Sequence, residues 1–328
     1  MHGMEVRMKT AQTIRHAFLL RRDGFSLLEV VVVISVIVVL LAVIGPAVQN
    51  ARTAAQKTSC VNNLRQFGLA AQAYHETFGS YAVARPYISV LPFLEQTALS
   101  TVIASGGSPE SSPTVFICSS DPLAFPARNN VSYGLNEGDG RFVETTVNGF
   151  YSKLFNGMRL SSNFRVVNST SKDFPDGLSN TAMYSERRVP TVDVPSLRSA
   201  SGDPTAFSWY VDRDYSMPEE YDAFRSACRN GIRDTMLPYL ALTNSYLNRE
   251  FGYNHILPPN SVGCYVGRPP TTFLFPFYEG SIPATSLHTA GANVVFVDGH
   301  VRFVSNSIDM EVWSASGTRN GGETANLE

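Results

Sequence analysis

Apolar residues change their spacing three times along this chain. Phe25 to Ile44 is an unbroken apolar run in which Glu29 is the one charged residue. A helix rises about 1.5 Å per residue, so this run covers roughly 30 Å, the thickness of a bilayer's hydrocarbon core. Pro46 follows it. Proline removes one helical hydrogen bond and kinks the axis, and the reading here is a kinked helix that continues. Leu64, Phe67, Ala71, Tyr74 and Phe78 then recur at steps of three and four, with Gln66, Gln72 and Glu76 off that stripe. The pattern predicts one helix over 25–78, membrane-spanning over 25–44, whose later half packs under a globular part. Gly79 is its stop.

From Ser80 onward the helical period is lost. Short apolar runs punctuated by Gly, Pro, Asn, Ser and Asp predict strands and long loops over 79–328. Val115 to Cys118 reads as a short strand and Glu219 to Arg229 as a short helix. The clearest local element is "GANVVFVDGHVRFV". Asp298-Gly299 predicts a two-residue type I′ turn within a hairpin over 293–304. That register sets Val297 opposite His300 and Val294 opposite Phe303. It gives a core face of Val294, Phe296, Val301 and Phe303, with Val295, Val297, His300 and Arg302 nearer solvent. The expected class is α+β: a long N-terminal helix on a β-rich globular domain.

Charge sets the topology. Arg7, Lys9, Arg15, Arg21 and Arg22 precede the apolar run, against Glu5 and Asp23. This bias predicts a cytoplasmic N-terminus, a leader over 1–24, and an extracytoplasmic globular part. A secretory signal has a shorter apolar stretch, about 7 to 15 residues, that ends in small residues. The whole chain has a formal net charge of −2, and with the basic leader set aside the remainder is more acidic still. Such a surface argues against nonspecific nucleic-acid binding, which needs clustered cations. Cys60, Cys118, Cys228 and Cys264 all fall on the outer side, where disulfides are permitted. Four cysteines allow three pairings. Proximity in sequence favours Cys60 with Cys118 and Cys228 with Cys264, and free buried thiols are the alternative.

Glu29 needs a reason. An acid at mid-membrane costs about 2.5 to 3.5 kcal/mol. A position near the helix start lowers that cost, and the helix dipole returns roughly 0.3 to 1 kcal/mol. A cationic partner is the natural remainder. Arg22 could snorkel toward the carboxylate. A cut between Gly24 and Phe25 would instead create an amine four residues before Glu29, at helical facing distance.

"RRDGFSLLEVVVVISVIVVLLAVIGPAVQNAR" resembles the cleavage and methylation segment of type IV prepilins and type II secretion pseudopilins. The resemblance implies a peptidase cut at Gly24-Phe25, N-methylation of Phe25, and a Glu29 that neutralises the amine of an adjacent subunit during assembly. It implies as partners a prepilin peptidase/methyltransferase, other pilin or pseudopilin subunits, inner-membrane assembly machinery and the lipid bilayer. The location implied is a bacterial inner membrane, single-pass, with a surface filament as one destination. "SLHTAGANVVFVDGHVRFVSNSID" resembles the C-terminal signature of a prepilin-like family of unknown function, with His288 and Asp298-Gly299 at the His-x9-Asp-Gly spacing. "FPDGLSNTAMYSE" and "NHILPPNSVGC" resemble that family's internal segments.

Candidate chemistry is sparse. His288, Asp298, His300 and Asp309 invite a metal or acid–base reading. A turn role for Asp298 and loop hydrogen bonding for His288 are simpler. Some pseudopilins carry calcium in their C-terminal loops, which makes Asp298 and Asp309 conceivable ligands, but six to eight oxygens are not evident, so no metal is assigned. Glu186 reads as an ion-pairing residue beside Arg187 and Arg188. Asp176-Gly177 and Asn180 read as a turn network. H-E-x-x-H, G-x-S-x-G, Walker and G-x-G-x-x-G motifs are lacking. The expectation is a structural subunit without cofactor or enzymatic activity. The alternative is a membrane-tethered binding or hydrolytic domain that uses the helix only as an anchor.

Overall fold

The computed structural model describes residues 26–82, 85–122, 124, 130–139, 169–189, 252–266 and 280–322, with the elements at 153–154, 165–166, 207–211, 221–230 and 232–238. By packing, the chain divides into Met1–Ala51 and Arg52–Glu328. Helix α1 covers Leu27–Phe78, with Pro46 inside it. It is long and apolar enough to cross a membrane. In the first unit its side chains are almost all exposed: Leu27, Val31, Val39, Leu41 and Val43 are each more than half accessible.

The second unit is built on mixed sheets. Its strands, among the described residues, are β1 (Tyr133–Asn136), β2 (Lys153–Leu154), β3 (Arg165–Val166), β4 (Ala182–Glu186), β5 (Phe207–Val211), β6 (Ile232–Pro238), β7 (Gly252–Tyr253), β8 (Gly263–Val266), β9 (Gly280–Ser281), β10 (Gly291–Phe296) and β11 (Val301–Ser305). The main sheet runs β11-β10-β4-β1-β7; β1 and β7 are parallel and the other neighbours antiparallel. A second sheet runs β6-β5-β8-β9. The architecture is therefore α+β, a long N-terminal helix with a β-rich domain.

The apolar stripe of α1 does what its spacing requires. Cys60, Leu64, Phe67, Ala70 and Ala71 are buried, Tyr74 is half-buried, and Phe78 is exposed. Phe67 sits at the centre of an aromatic cluster. Its ring lies 5.2 Å from Phe116, 5.4 Å from Tyr133, 5.2 Å from Tyr184 and 6.1 Å from Tyr87. Such ring pairs add about 0.5 to 1.5 kcal/mol each beyond area burial.

The C-terminal hairpin corrects the sequence expectation. It extends over Gly291–Ser305, and the observed pairs are Val295 with Val301, Val294 with Arg302 and Asn293 with Phe303. Phe296 N donates to His300 O, and Gly299 N donates to Phe296 O. The loop is thus the three residues Val297, Asp298 and Gly299. Gly299 has φ +90°, whereas Asp298 is not in the left-handed region. A type I′ turn needs both central residues there, so the chain takes the three-residue loop with a left-handed glycine instead. Asp298 Oδ1 accepts from His300 N at 3.1 Å, which holds the turn.

The expected division into a core face and a solvent face fails too. β10 lies between β11 and β4 and is buried throughout. Val295 and Val297 join the helix-side core, while Val294 and Phe296 join a second core with Ala292, Tyr253 and Trp313. Phe303 is 40% exposed, its ring covered by Lys57 Nζ at 3.9 Å. A central strand with an element on each side reads as a continuous apolar run, not an alternating one. Thr114–Phe116 is a 3₁₀ turn where a strand was expected, and Ile117 after it is extended. The helix expected near Glu219–Arg229 occupies Tyr221–Asn230.

Helix and hairpin touch at two glycines. A Cβ at Gly68 would meet Gly299 Cα at 2.9 Å and Val295 Cγ2 at 2.9 Å. Gln72 Nε2 donates to Val297 O one helical turn further on. Gly68→Ala should therefore destabilise the protein by about 1 to 3 kcal/mol through overpacking, despite alanine's better helix propensity. A thermal melt of the variant beside wild type reads this directly; an unchanged or raised Tm would contradict the close contact.

Candidate functional site

At the start of α1 the carboxylate of Glu29 accepts from Ser26 N at 2.8 Å, and Ser26 Oγ accepts from Leu28 N at 3.3 Å. The Glu29 bond is one half of a capping box, with Ser26 Oγ taking the N–H of Leu28 instead of that of Glu29, and the Ser-x-x-Glu spacing behind it is plain in "FSLLE". Sequence reasoning sought a cationic partner for Glu29, in Arg22 or in a new amine at Phe25, and missed this backbone one. Gly24 and Phe25 lie outside the described residues.

The second constellation is buried. Cys60 is bonded to Cys118, and Cys228 to Cys264. These are the neighbouring pairs among the three arrangements that four cysteines permit. The first bond ties α1 to the segment after the Thr114–Phe116 turn. Beside it stand Glu186, at the end of β4, and His288, just before β10. His288 is 6% exposed and Glu186 2%. His288 Nε2 is 3.0 Å from Glu186 Oε1 and 3.9 Å from Cys118 Sγ.

Glu186 is held on both oxygens. Oε2 accepts from Asn293 N at 2.8 Å, and Oε1 accepts from Asn293 Nδ2 at 2.9 Å. A buried carboxylate is tolerable only with such partners. Nearby, burial first and the Glu186 charge second hold the Tyr133 phenol far above its ordinary range. Sequence reasoning placed Glu186 among its arginine neighbours. The structure pairs it with His288, a residue 102 positions away that only the fold brings near. Cys60, Cys118, Glu186 and His288 offer four ligand atoms within 4.8 Å of one another, all buried.

A small cavity of about 10 Å³ adjoins this cluster, lined by Cys118, Ser132, Glu186, Thr285 and Ser286 among others. That is near the smallest volume that holds one water. The surrounding loop is pinned by Asn260. This residue takes φ +59°, a conformation asparagine tolerates better than most. Its side chain accepts from Ser286 N and donates to Gly291 O and Asn306 Oδ1. Ser286 Oγ in turn accepts from His288 N. The Pro-Pro-Asn segment thus sets the loop that presents His288.

Other candidates have structural work. Asp309 Oδ1 accepts from Glu311 N and Val312 N, capping the helix Met310–Gly317, and so is occupied in a role other than calcium binding. Asp298 pairs with His300 Nδ1 at 2.5 Å. The Asp176 carboxylate accepts from Gly321 N and Gly322 N, and Asn180 Nδ2 donates to Asp176 O.

His255 is a buried group that sequence reasoning did not single out. It stacks on Trp313 with ring centroids 3.8 Å apart. Its Nδ1 lies 2.7 Å from Trp313 O and its Nε2 3.2 Å from Tyr253 OH. Desolvation pushes its pKa down to about 3, opposed in part by the Trp313 carbonyl.

Residues 49–311 match the family model described as a protein of unknown function (DUF1559). The matched span starts beyond the segment Arg21 to Gly45. No curated protein gives a significant match, and neither does any solved structure.

The His255 geometry carries a pH signature. Unfolded, this imidazole binds a proton near its ordinary pKa of about 6.5; folded, it does so only near 3. Between these values the unfolded state holds more protons, so stability falls as pH drops from about 6.5 toward 3, by up to about 1.4 kcal/mol per pH unit from this group. Denaturant melts across that range should show the loss, and His255→Gln should flatten the slope. An equal slope in the variant would assign the acid sensitivity elsewhere.

Proposed function

The chain belongs to the DUF1559 family of proteins of unknown function, and from that premise we propose that it is a pilin-like structural subunit. It is cut at Gly24-Phe25 by a prepilin peptidase, methylated at Phe25, and assembled through α1 into a filament, pseudopilus or envelope-associated array. The chain is the substrate of that peptidase and has no catalytic task of its own. It enters the inner membrane with its N-terminus cytoplasmic and its globular part outside.

One observation carries this reading. From Leu27 to Val48 the helix presents apolar side chains all round, none of them buried by the chain itself. A helix apolar on every side needs lipid or other helices. In lipid the hydrophobic effect does not drive helices together, so packing and polar pairs set their docking. Glu29, one helical turn from the proposed new N-terminus, is the polar group placed for that role. In the single chain its carboxylate already accepts from Ser26 N, and an ionised carboxylate has acceptor capacity left for the amine of a neighbour.

N-terminal mass spectrometry of protein recovered from membranes should find methylated Phe25 as the first residue. Gly24→Leu should leave the uncut chain. Glu29→Val should insert normally yet lose cysteine crosslinks engineered between α1 helices of different copies. Intact residues 1–24 in native material, together with no crosslinks between copies, would favour a plain tethered domain instead.

A further inference from the structure

The cluster at Cys60, Cys118, Glu186 and His288 has the chemistry of a metal site that is held closed. Two sulfurs, an imidazole nitrogen and a carboxylate oxygen lie within 4.8 Å of one another in a buried place. In the structure the two sulfurs are bonded to each other and so are spent as ligands. The imidazole and the carboxylate meanwhile satisfy one another across 3.0 Å. We propose that two-electron reduction of the Cys60–Cys118 disulfide opens a four-coordinate site for a borderline-soft divalent cation, zinc being the best match. Its ligands are the two sulfurs, Glu186 Oε1 and His288 Nε2.

The steps balance. A dithiol reductant gives two electrons and two protons and leaves as its own disulfide; the S–S bond breaks and two thiols form. On metal binding the thiols release their protons, because thiolates are the ligands. The proton that His288 Nε2 donates to the Glu186 carboxylate in the oxidised chain leaves Nε2 for water as the metal enters, and the bound imidazole carries its proton on Nδ1. Two thiolates and one carboxylate then face a doubly charged cation, leaving one net negative charge where three would otherwise stand.

Geometry and surroundings favour this ligand set. At ordinary zinc bond lengths of about 2.0 to 2.3 Å, tetrahedral ligand atoms sit roughly 3.3 to 3.8 Å apart. The Glu186–His288 separation of 3.0 Å and the Cys118–His288 separation of 3.9 Å are near that range already. The sulfurs must part, the other ligand atoms stand no more than 4.8 Å from one another, and the cavity of about 10 Å³ borders Cys118 and Glu186. Ser132 also lines that cavity; it is 1% exposed and its Oγ lacks a hydrogen-bond partner. Asn293 already fixes the carboxylate through two donors, as outer partners of metal ligands do. Two thiolates with one imidazole select zinc over the hard cations magnesium and calcium.

The test uses the full chain in detergent micelles, reduced with a dithiol, desalted without oxygen and titrated with Co(II) as a spectroscopic substitute. One cobalt per chain should bind, with tetrahedral d–d bands and thiolate charge-transfer bands, and Zn(II) should displace it. The oxidised chain should bind none. Glu186→Gln and His288→Gln should weaken uptake by more than the roughly 10- to 100-fold that loss of an outer partner of a ligand costs, while Cys228→Ala/Cys264→Ala should leave the bands in place. X-ray absorption on the reduced wild type should return two sulfur and two nitrogen or oxygen ligands, and that reading stands even where a variant fails to fold. A different ligand set overturns the proposal, as does a folded, reduced chain that takes up no cobalt. Equal uptake in the Glu186 and His288 variants overturns it too, and so does a loss of fold on reduction that cobalt does not reverse.

Discussion

The insertion of Phe67 between helix and sheet is the contact on which the globular unit depends. One ring meets Phe116, Tyr133, Tyr184 and Tyr87, so a single side chain joins α1 to two strands, the short helix Pro86–Ser89 and the 3₁₀ turn Thr114–Phe116. The contact is possible only because the next residue is glycine: Gly68 lets the helix backbone approach the hairpin turn closely enough for the ring to reach the sheet. Aromatic burial supplies the attraction, and the absent side chain supplies the distance. The same approach explains why Gly299 serves twice, first as the left-handed residue of its turn and again as the surface on which Gly68 rests.

Much of this was legible in the sequence, for stated physical reasons. Helical period is a local property, so Leu64, Phe67 and Ala71 announced the buried stripe. The apolar run ending at Ile44 announced a helix with the length of a span. The hairpin was legible as an element and misread in register. "Asp-Gly" between apolar residues fits two loop lengths, and the choice rests on whether Asp298 enters the left-handed region, which its letter does not decide. Strand burial was misjudged because β10 has packing on both faces, something that depends on elements far away in the chain. Glu186 and His288 were each noticed alone. Their pairing depends on β4 and β10 being neighbours, which no local pattern reports.

The two constellations differ in kind. The Glu29 turn lies on the exposed first part of α1, and its carboxylate is met there by Ser26 N of the same turn. The Glu186 and His288 cluster is enclosed, and its polar atoms are satisfied from within by Asn293, by Ser286 and by each other. A buried polar pair of this kind is costly to build, and replacement of such pairs by apolar residues is often neutral or stabilising in other proteins. That makes a purely stabilising role a weak account of it, and gives its placement against a disulfide more weight.

The Cys60–Cys118 bond also fixes where mechanical load would travel. Cys60 precedes Phe67 on α1, so tension arriving from the N-terminal side meets a covalent junction before it reaches the aromatic contact. Force would then be shared between the continuing helix and the segment around Cys118. The globular unit is in that respect bolted to its helix at the collar, not merely wedged against it.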